Sequence, residues 1–364
     1  MNESQVNNIV GAAPLPWLEH PGMSRSVRPE GMTLGVIAPL EGFDGPIPTL
    51  QNHVGLIQQA ERAGFATVWV RDVPLLDPSF GDAGQVFDTW AYLGYLAAST
   101  STIALGTSSV VLPLRHPLDT AKAAASIDQL SGGRLLLGVA TGDRAVEYPA
   151  FGVDYDGRAD RFRDSLAYLR QVTEHRFPTV TSTLGTMSGT DLLPKPTHSR
   201  LPVFMTGLGR QEIEWIAGHT DGWLFYTLPP GQQALNIKRW RRLTAHRGEP
   251  GYKPFNQATY LDLTEDPTSP PRAINQGLSI GREPLLEALN TWQDIGIDQL
   301  MINFKHSLRP VTDVIAEFAE YILPHFPAGQ PPRPATTRAG REGRPAQRVR
   351  VVEGSSAPQP AAAN

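Results

Sequence analysis

The stretch GVATGDRAVEYPAFG, residues 138–152, leaves an apolar run and breaks at once into Thr141, Gly142, Asp143 and Arg144. Small hydroxyls, a flexible turn and two opposite charges are what a site needs to orient a polar ring or to move a proton. A second group, MTGLGR at 205–210, sets Gly207, Leu208 and Gly209 between an apolar run and a helix-like segment starting near Arg210. Glycines let backbone N–H groups approach an anion, and a helix start adds free donors, so this is a phosphate-binding pattern. A tight strand-to-helix turn needs the same glycines. In LPLRHP, 112–117, Arg115 offers an anion partner and His116 a general acid or base, although a histidine that caps the next helix fits equally. WVRD at 69–72 places Arg71 and Asp72 at the end of another apolar run, either as a structural ion pair or as proton-handling groups. LGTSS, 105–109, adds Thr107, whose small hydroxyl lets a flat ring lie close.

Other chemistries are excluded. There is no cysteine among the 364 residues, so thiolate nucleophiles, disulfides and cysteine metal sites are absent. The nine histidines are scattered with no His-Glu-x-x-His spacing, and no GxGxxG opens a dinucleotide-binding unit. A net charge of −4 gives no field to attract nucleic acid or anionic lipid. No apolar stretch approaches the length of a membrane span, and residues 1–30 show no basic-then-apolar leader, so a soluble, cytoplasmic protein is expected.

The elements that must position these groups alternate. Eight β-like runs, at 33–38, 66–71, 102–111, 134–140, 201–206, 221–226, 256–263 and 298–304, are nearly continuous in apolar residues, as strands covered on both faces are. Between them lie helical spacings such as Phe162, Leu166, Leu169 and Val172, with Gly64 and Gly296 placed to stop helices. This pattern predicts a (β/α)8 TIM barrel over residues 31–326, with its chemistry on the loops that leave the strands at their C-terminal ends. Residues 1–30 read as an N-terminal extension. Residues 327–364 read as a disordered low-complexity tail, with six Arg against two Glu in 329–364. Long connections at 73–84, 141–157, 177–200 and 264–281 mark insertions. In the last, Gly277 and Gly281 are expected to act as lid hinges and Arg272 to reach into the site.

An ordered series of motifs then carries a resemblance: AGFATVWV at 63–70, IALGT at 103–107, RHP at 115–117, LSGGRLLLGV at 130–139 and AGHTDGW at 217–223. Together they resemble the bacterial luciferase-like flavin monooxygenases over roughly residues 31–326. The resemblance implies a TIM barrel that uses reduced FMN or, in one branch, a reduced deazaflavin. Thr107 and the turn of Thr141, Gly142 and Asp143 would lie against the ring, Gly207, Leu208 and Gly209 would hold the phosphate, and Tyr226 would join them from the aromatics at the mouth. Arg71, Asp72, His116 and Arg144 would position substrate or move protons. Two positions depart from the family pattern: the second strand ends in Arg71-Asp72 where many members carry His, and Ala159 follows Arg158 where Tyr is common. The expected activity is oxygenation of a small organic substrate with FMNH2 and O2, the reduced flavin coming from a separate NAD(P)H:flavin reductase. The alternatives are hydride transfer with a deazaflavin and a flavin-binding barrel without turnover. A homo-oligomer with no metal, nucleic-acid or membrane partner completes the expectation.

Overall fold

The computed structural model describes residues 16–79, 87–247 and 249–330. Residues 331–364 of the tail expected at 327–364 and residues 1–15 of the extension lie outside the described residues; within the described part of the tail, the Gly329 amide donates to the Arg25 carbonyl at 2.9 Å.

Eight parallel strands form the barrel: β1 (Thr33–Ile37), β2 (Thr67–Val70), β3 (Ala104–Thr107), β4 (Leu135–Ala140), β5 (Val203–Thr206), β6 (Gly222–Phe225), β7 (Phe255–Leu263) and β8 (Gln299–Asn303). Each pairs with the next. The sheet closes because β8 also pairs with β1, in the register Gly35↔Met301. The principal helices outside it are α1 (His53–Ala63), α2 (Thr89–Ser99), α3 (Pro117–Leu130), α4 (Arg158–Glu174), α5 (Ile213–His219), α6 (Pro230–Leu243), α7 (Arg282–Asp294) and α8 (Val311–Glu317). Local sequence accounts for their ends. Asp88 caps α2 by accepting from the amides of Trp90 and Ala91, and Pro117 sits at the first position of α3, where no intrahelical N–H is needed.

Strand residues alternate between two cores, which is why the runs read as continuously apolar. Leu34, Val36, Val68, Val70, Leu105 and Leu137 face the helices. Ile37, Trp69, Ala104, Leu136, Phe204, Leu224 and Met301 cluster inside the barrel, together with Met23 and Val27. Those last two come from a short helix, Pro21–Ser26, and the residue after it, so the segment before β1 contributes directly to the barrel's interior packing. Polar groups inside are matched: the Gln299 carbonyl oxygen accepts from Thr67 Oγ1 at 3.0 Å and Trp69 Nε1 at 2.9 Å, and its amide donates to Thr33 Oγ1.

Three local expectations are corrected. The run at 102–111 is not one strand: β3 stops at Thr107, and Val110–Val111 forms a separate short strand on β4, with Ser108 and Ser109 between them. The helix after the glycine turn begins at Ile213 and not near Arg210, which leaves a longer irregular connection behind β5. The connection at 264–281 is not the irregular loop expected. Arg272–Ile274 and Gly277–Ile280 form an antiparallel hairpin that extends the sheet along β7, and a Cβ on Gly277 would sit 1.9 Å from the Tyr260 carbonyl oxygen. Gly277 is there because two backbones touch, and Arg272 stays exposed on the hairpin's outer strand.

Candidate active site

A cavity of about 830 Å3 opens where the strands end at their C-terminal side. That is at the upper end of the range for small-molecule sites, with space for two flat molecules. Ile37, Arg71, Ser108, Ala140, Thr206, Tyr226 and Asn303 each lie at or just beyond the end of a barrel strand and line it. The mouth is therefore assembled by the fold from residues far apart in the chain.

Of the residues singled out from the sequence, Arg71, Asp72, Thr141, Gly142, Asp143, Arg144, Gly207, Leu208, Gly209 and Tyr226 all line this cavity. Thr107 and His116 do not. Thr107 is fully buried and its hydroxyl donates to the Gly138 carbonyl at 2.7 Å, so it joins β3 to β4 behind the wall; Ser108 and Ser109 take the lining position. His116 caps α3. Its Nδ1 accepts from the Leu118 amide at 3.2 Å, its Nε2 lies 2.8 Å from the Leu184 carbonyl, and the ring packs edge-on against Tyr168. The first contact makes Nδ1 the acceptor and the second makes Nε2–H the donor, so both ring nitrogens are occupied outside the cavity.

Asp72 reaches the wall but is already partnered. Oδ1 accepts from Arg115 Nη2 at 2.6 Å and Thr89 Oγ1 at 3.1 Å, and Oδ2 accepts from Arg115 Nε at 3.2 Å and the Val111 amide at 3.1 Å. The single hydroxyl hydrogen of Thr89 is shared with the Arg71 carbonyl, also at 3.1 Å, so Arg115 and the Val111 amide are the firm donors. These contacts make Asp72 a clamp that ties the end of β2 to the segment after β3.

The glycine turn is a bare-backbone surface. Gly209 has φ 51°, a left-handed conformation that favours glycine, and a Cβ there would stand 1.9 Å from Met205 Cε and 3.4 Å from the Thr141 side chain. The Gly207 amide donates to the Leu224 carbonyl, which removes it from the expected phosphate donors and leaves those of Leu208 and Gly209. Beside the turn the Thr206 hydroxyl is buried without a partner among the described residues, and so is that of Thr259 across the cavity. Tyr148 holds the other turn in place: its hydroxyl donates to the Thr141 carbonyl, and burial pushes its pKa up to about 12, keeping it a donor.

Glu147, Arg158, Lys305 and His306 are among the charged or titratable lining residues that were not picked out as site residues from the sequence. Glu147 is buried, and burial holds its carboxyl above the usual range against the opposing pull of Arg144, whose Nη1 is 3.5 Å away. Arg158 is buried with its guanidinium 3.3 Å over the Tyr155 ring, and its Nε has no hydrogen-bond partner among the described residues. Lys305 and His306 come after β8 and Phe304; burial lowers the His306 pKa first and Lys305 lowers it further, favouring the neutral imidazole. Position was the available signal, since residues just after a barrel strand arrive at the mouth.

Comparison with known proteins adds kinship to this geometry. The family model for luciferase-like monooxygenase matches residues 32–259. The F420-dependent hydroxymycolic acid dehydrogenase of Mycobacterium tuberculosis is 31% identical over 216 residues, 56% of this chain and 55% of that protein. The chain spans about half the length of several curated relatives that it matches. Among solved structures, an F420-dependent secondary alcohol dehydrogenase in complex with an F420-acetone adduct superposes with a TM-score of 0.67 at 18% identity, covering 80% of this chain and 98% of that one. A monooxygenase from Streptomyces bottropensis superposes with a TM-score of 0.66 at 17% identity, covering 81% and 100%. At those identities the two structures share the fold.

Proposed function

The chain belongs to the luciferase-like monooxygenase family, and from that premise we propose that it is a deazaflavin-dependent oxidoreductase that moves a hydride between F420 and a small alcohol or carbonyl compound. The family consists of enzymes of the oxidoreductase and monooxygenase type, and both cofactor chemistries occur among the relatives. Two considerations favour the deazaflavin over the FMN expected from the sequence. The relative matched at 31% identity is named as F420-dependent, whereas the monooxygenase structure shares the fold at 17%.

The observation that carries the proposal is the composition of the mouth. Arg71, Arg144, Arg158, Arg210 and Lys305 line it against Asp72, Asp143 and Glu147, and Asp72 is held by Arg115. The surplus positive charge suits a cofactor with an anionic tail. Leu208 and Gly209 would hold a phosphate through their amides, with Thr206 and Thr259 offering unmatched hydroxyls to polar edges nearby. When bound, the deazaflavin supplies or accepts the hydride.

What the chain itself must manage is the proton on the substrate oxygen. Glu147 and His306 are displaced in opposite senses, the acid toward its protonated form and the imidazole toward its neutral form. Such a divergent pair offers an acid and a base within one cavity. Glu147 is then the donor when a carbonyl is reduced, and His306 the acceptor when an alcohol is oxidised. The aromatic and aliphatic wall, with Ile37, Leu224, Phe225 and Met301, limits water around that exchange. A homo-oligomer remains part of the proposal.

Titration of the purified protein with F420 and FMN separately, followed by turnover with secondary alcohols and an oxygen electrode, tests the reading. The expected outcome is tight F420 binding and alcohol-dependent F420 reduction without oxygen uptake. Preferential FMN binding with oxygen consumption would return the function to oxygenation, with a flavin reductase as partner.

A further inference from the structure

The second large cavity, about 540 Å3, lies on the opposite face, where α6 and α7 lead down into β7 and β8. Its lining is strongly one-sided in charge. Lys238, Arg241, Arg242, His246 and Arg247 border it, and residues 238–247, KRWRRLTAHR, hold five Lys or Arg and no acid, in a chain whose net charge is −4. Lys238, Arg241 and Arg242 fall at i, i+3 and i+4, so one face of α6 carries three like charges. The chain beyond the helix then brings His246 and Arg247 to the same opening.

Only part of this charge has a structural task. Arg241 and Arg247 both bind Asp298, at 2.6 and 2.5 Å, and that one carboxylate also accepts from the Phe255 amide. The macrodipole of α6 accounts for basic residues in its last turn, where Arg241 and Arg242 stand. It does not account for Lys238 a turn earlier or for His246 and Arg247 outside the helix. Lys238 and Arg242 are exposed and carry no side-chain hydrogen bond or ion pair among the described residues. Beneath these cations the lining is aliphatic, with Ala234, Ile237, Ile295 and Gly296. A cationic rim over an apolar surface recognises a molecule with two unlike ends.

We infer that this cavity is a second binding site, separate from the mouth, for a phosphate-bearing small molecule of mononucleotide size, its phosphates against Lys238, Arg242 and His246 and its ring over Ile237 and Ile295. The guanidiniums of Arg241 and Arg247, fixed by Asp298, form the rigid part of the rim, and Lys238 and Arg242 close around the anion. The site stands on its own residues and does not depend on which cofactor the mouth takes.

The test is calorimetric titration of ADP into the full chain at low and high salt, repeated with the double variant Lys238→Glu, Arg242→Glu. These two side chains are exposed, so the fold survives, and an unchanged melting temperature verifies it. The expected result is one ADP site that weakens with salt, is at least tenfold weaker in the double variant, and persists when the mouth is saturated with F420 or FMN. Inorganic phosphate should bind more weakly than ADP, because it leaves the aliphatic surface uncovered. No ADP binding, binding unaltered in the double variant, or displacement by the mouth's cofactor overturns the proposal. Phosphate binding as tight as ADP, or a single-stranded oligonucleotide binding more tightly than ADP, also overturns it.

Discussion

The two ends of the barrel treat polar groups in opposite ways. Where the strands begin, buried charges are enclosed by partners. Arg134 donates to the carbonyls of Ala97, Thr100, Ile103 and Ser131 and to the Thr100 hydroxyl. Asp221 is bound by Arg170 and Arg200 and accepts from the Val203 amide, and Asp298 is bound in the same way by Arg241, Arg247 and the Phe255 amide. Where the strands end, Thr206 and Thr259 keep buried hydroxyls unmatched, and Glu147 and His306 sit with displaced proton affinities. An unmatched buried polar atom costs stability, and at the mouth a ligand that pairs with the Thr206 and Thr259 hydroxyls would offset that cost. One end secures the fold and the other is left ready for a ligand.

The sharpest break of this contrast is Asp298→Ala. Removing the carboxylate leaves two arginines and an amide without their acceptor, and the expected loss is about 3–5 kcal/mol of stability, read as a lower urea midpoint. Cofactor affinity of the remaining folded protein should not change. A loss of affinity with little loss of stability would reverse the roles assigned to the two ends.

At the mouth, Gly209→Val should do the converse. The branched side chain meets Met205 and occupies the turn, so F420 affinity is expected to fall at least tenfold, about 1.4 kcal/mol. The left-handed φ of 51° adds a stability loss of about 1–2 kcal/mol, smaller than that of Asp298→Ala. Unchanged cofactor titration would remove the turn from the site. The smallest effect is expected for Arg272→Ala, on the hairpin's exposed outer strand. Stability should stay within about 0.5 kcal/mol and turnover should be unaltered, whereas a clear fall in turnover would restore the lid reading.

Much of the mouth was legible before any coordinates. Thr141 to Arg144 and Gly207 to Gly209 follow apolar runs, and in a parallel barrel whatever follows a strand arrives at the catalytic face. That rule depends on order along the chain, which a sequence displays directly. It failed where side-chain direction mattered. Thr107 ends β3 and Ser108 follows it; one faces β4's backbone and the other the cavity, and composition alone does not say which.

The sequence by itself determined the barrel, because strands buried on both faces and helices buried on one stripe leave periodic signatures within a few residues of each other. It determined as well that chemistry here uses no cysteine and that glycines form the turn after β5. Only the tertiary structure decided that Asp72 belongs to Arg115, 43 residues away, and that His116 belongs to α3 and the Leu184 carbonyl. It alone brought Glu147 and His306 to one cavity. The reason is that a side chain's role follows from the partners that saturate it or leave it unmatched. Those partners come from other strands and loops, at separations over which the local pattern of a sequence carries no information.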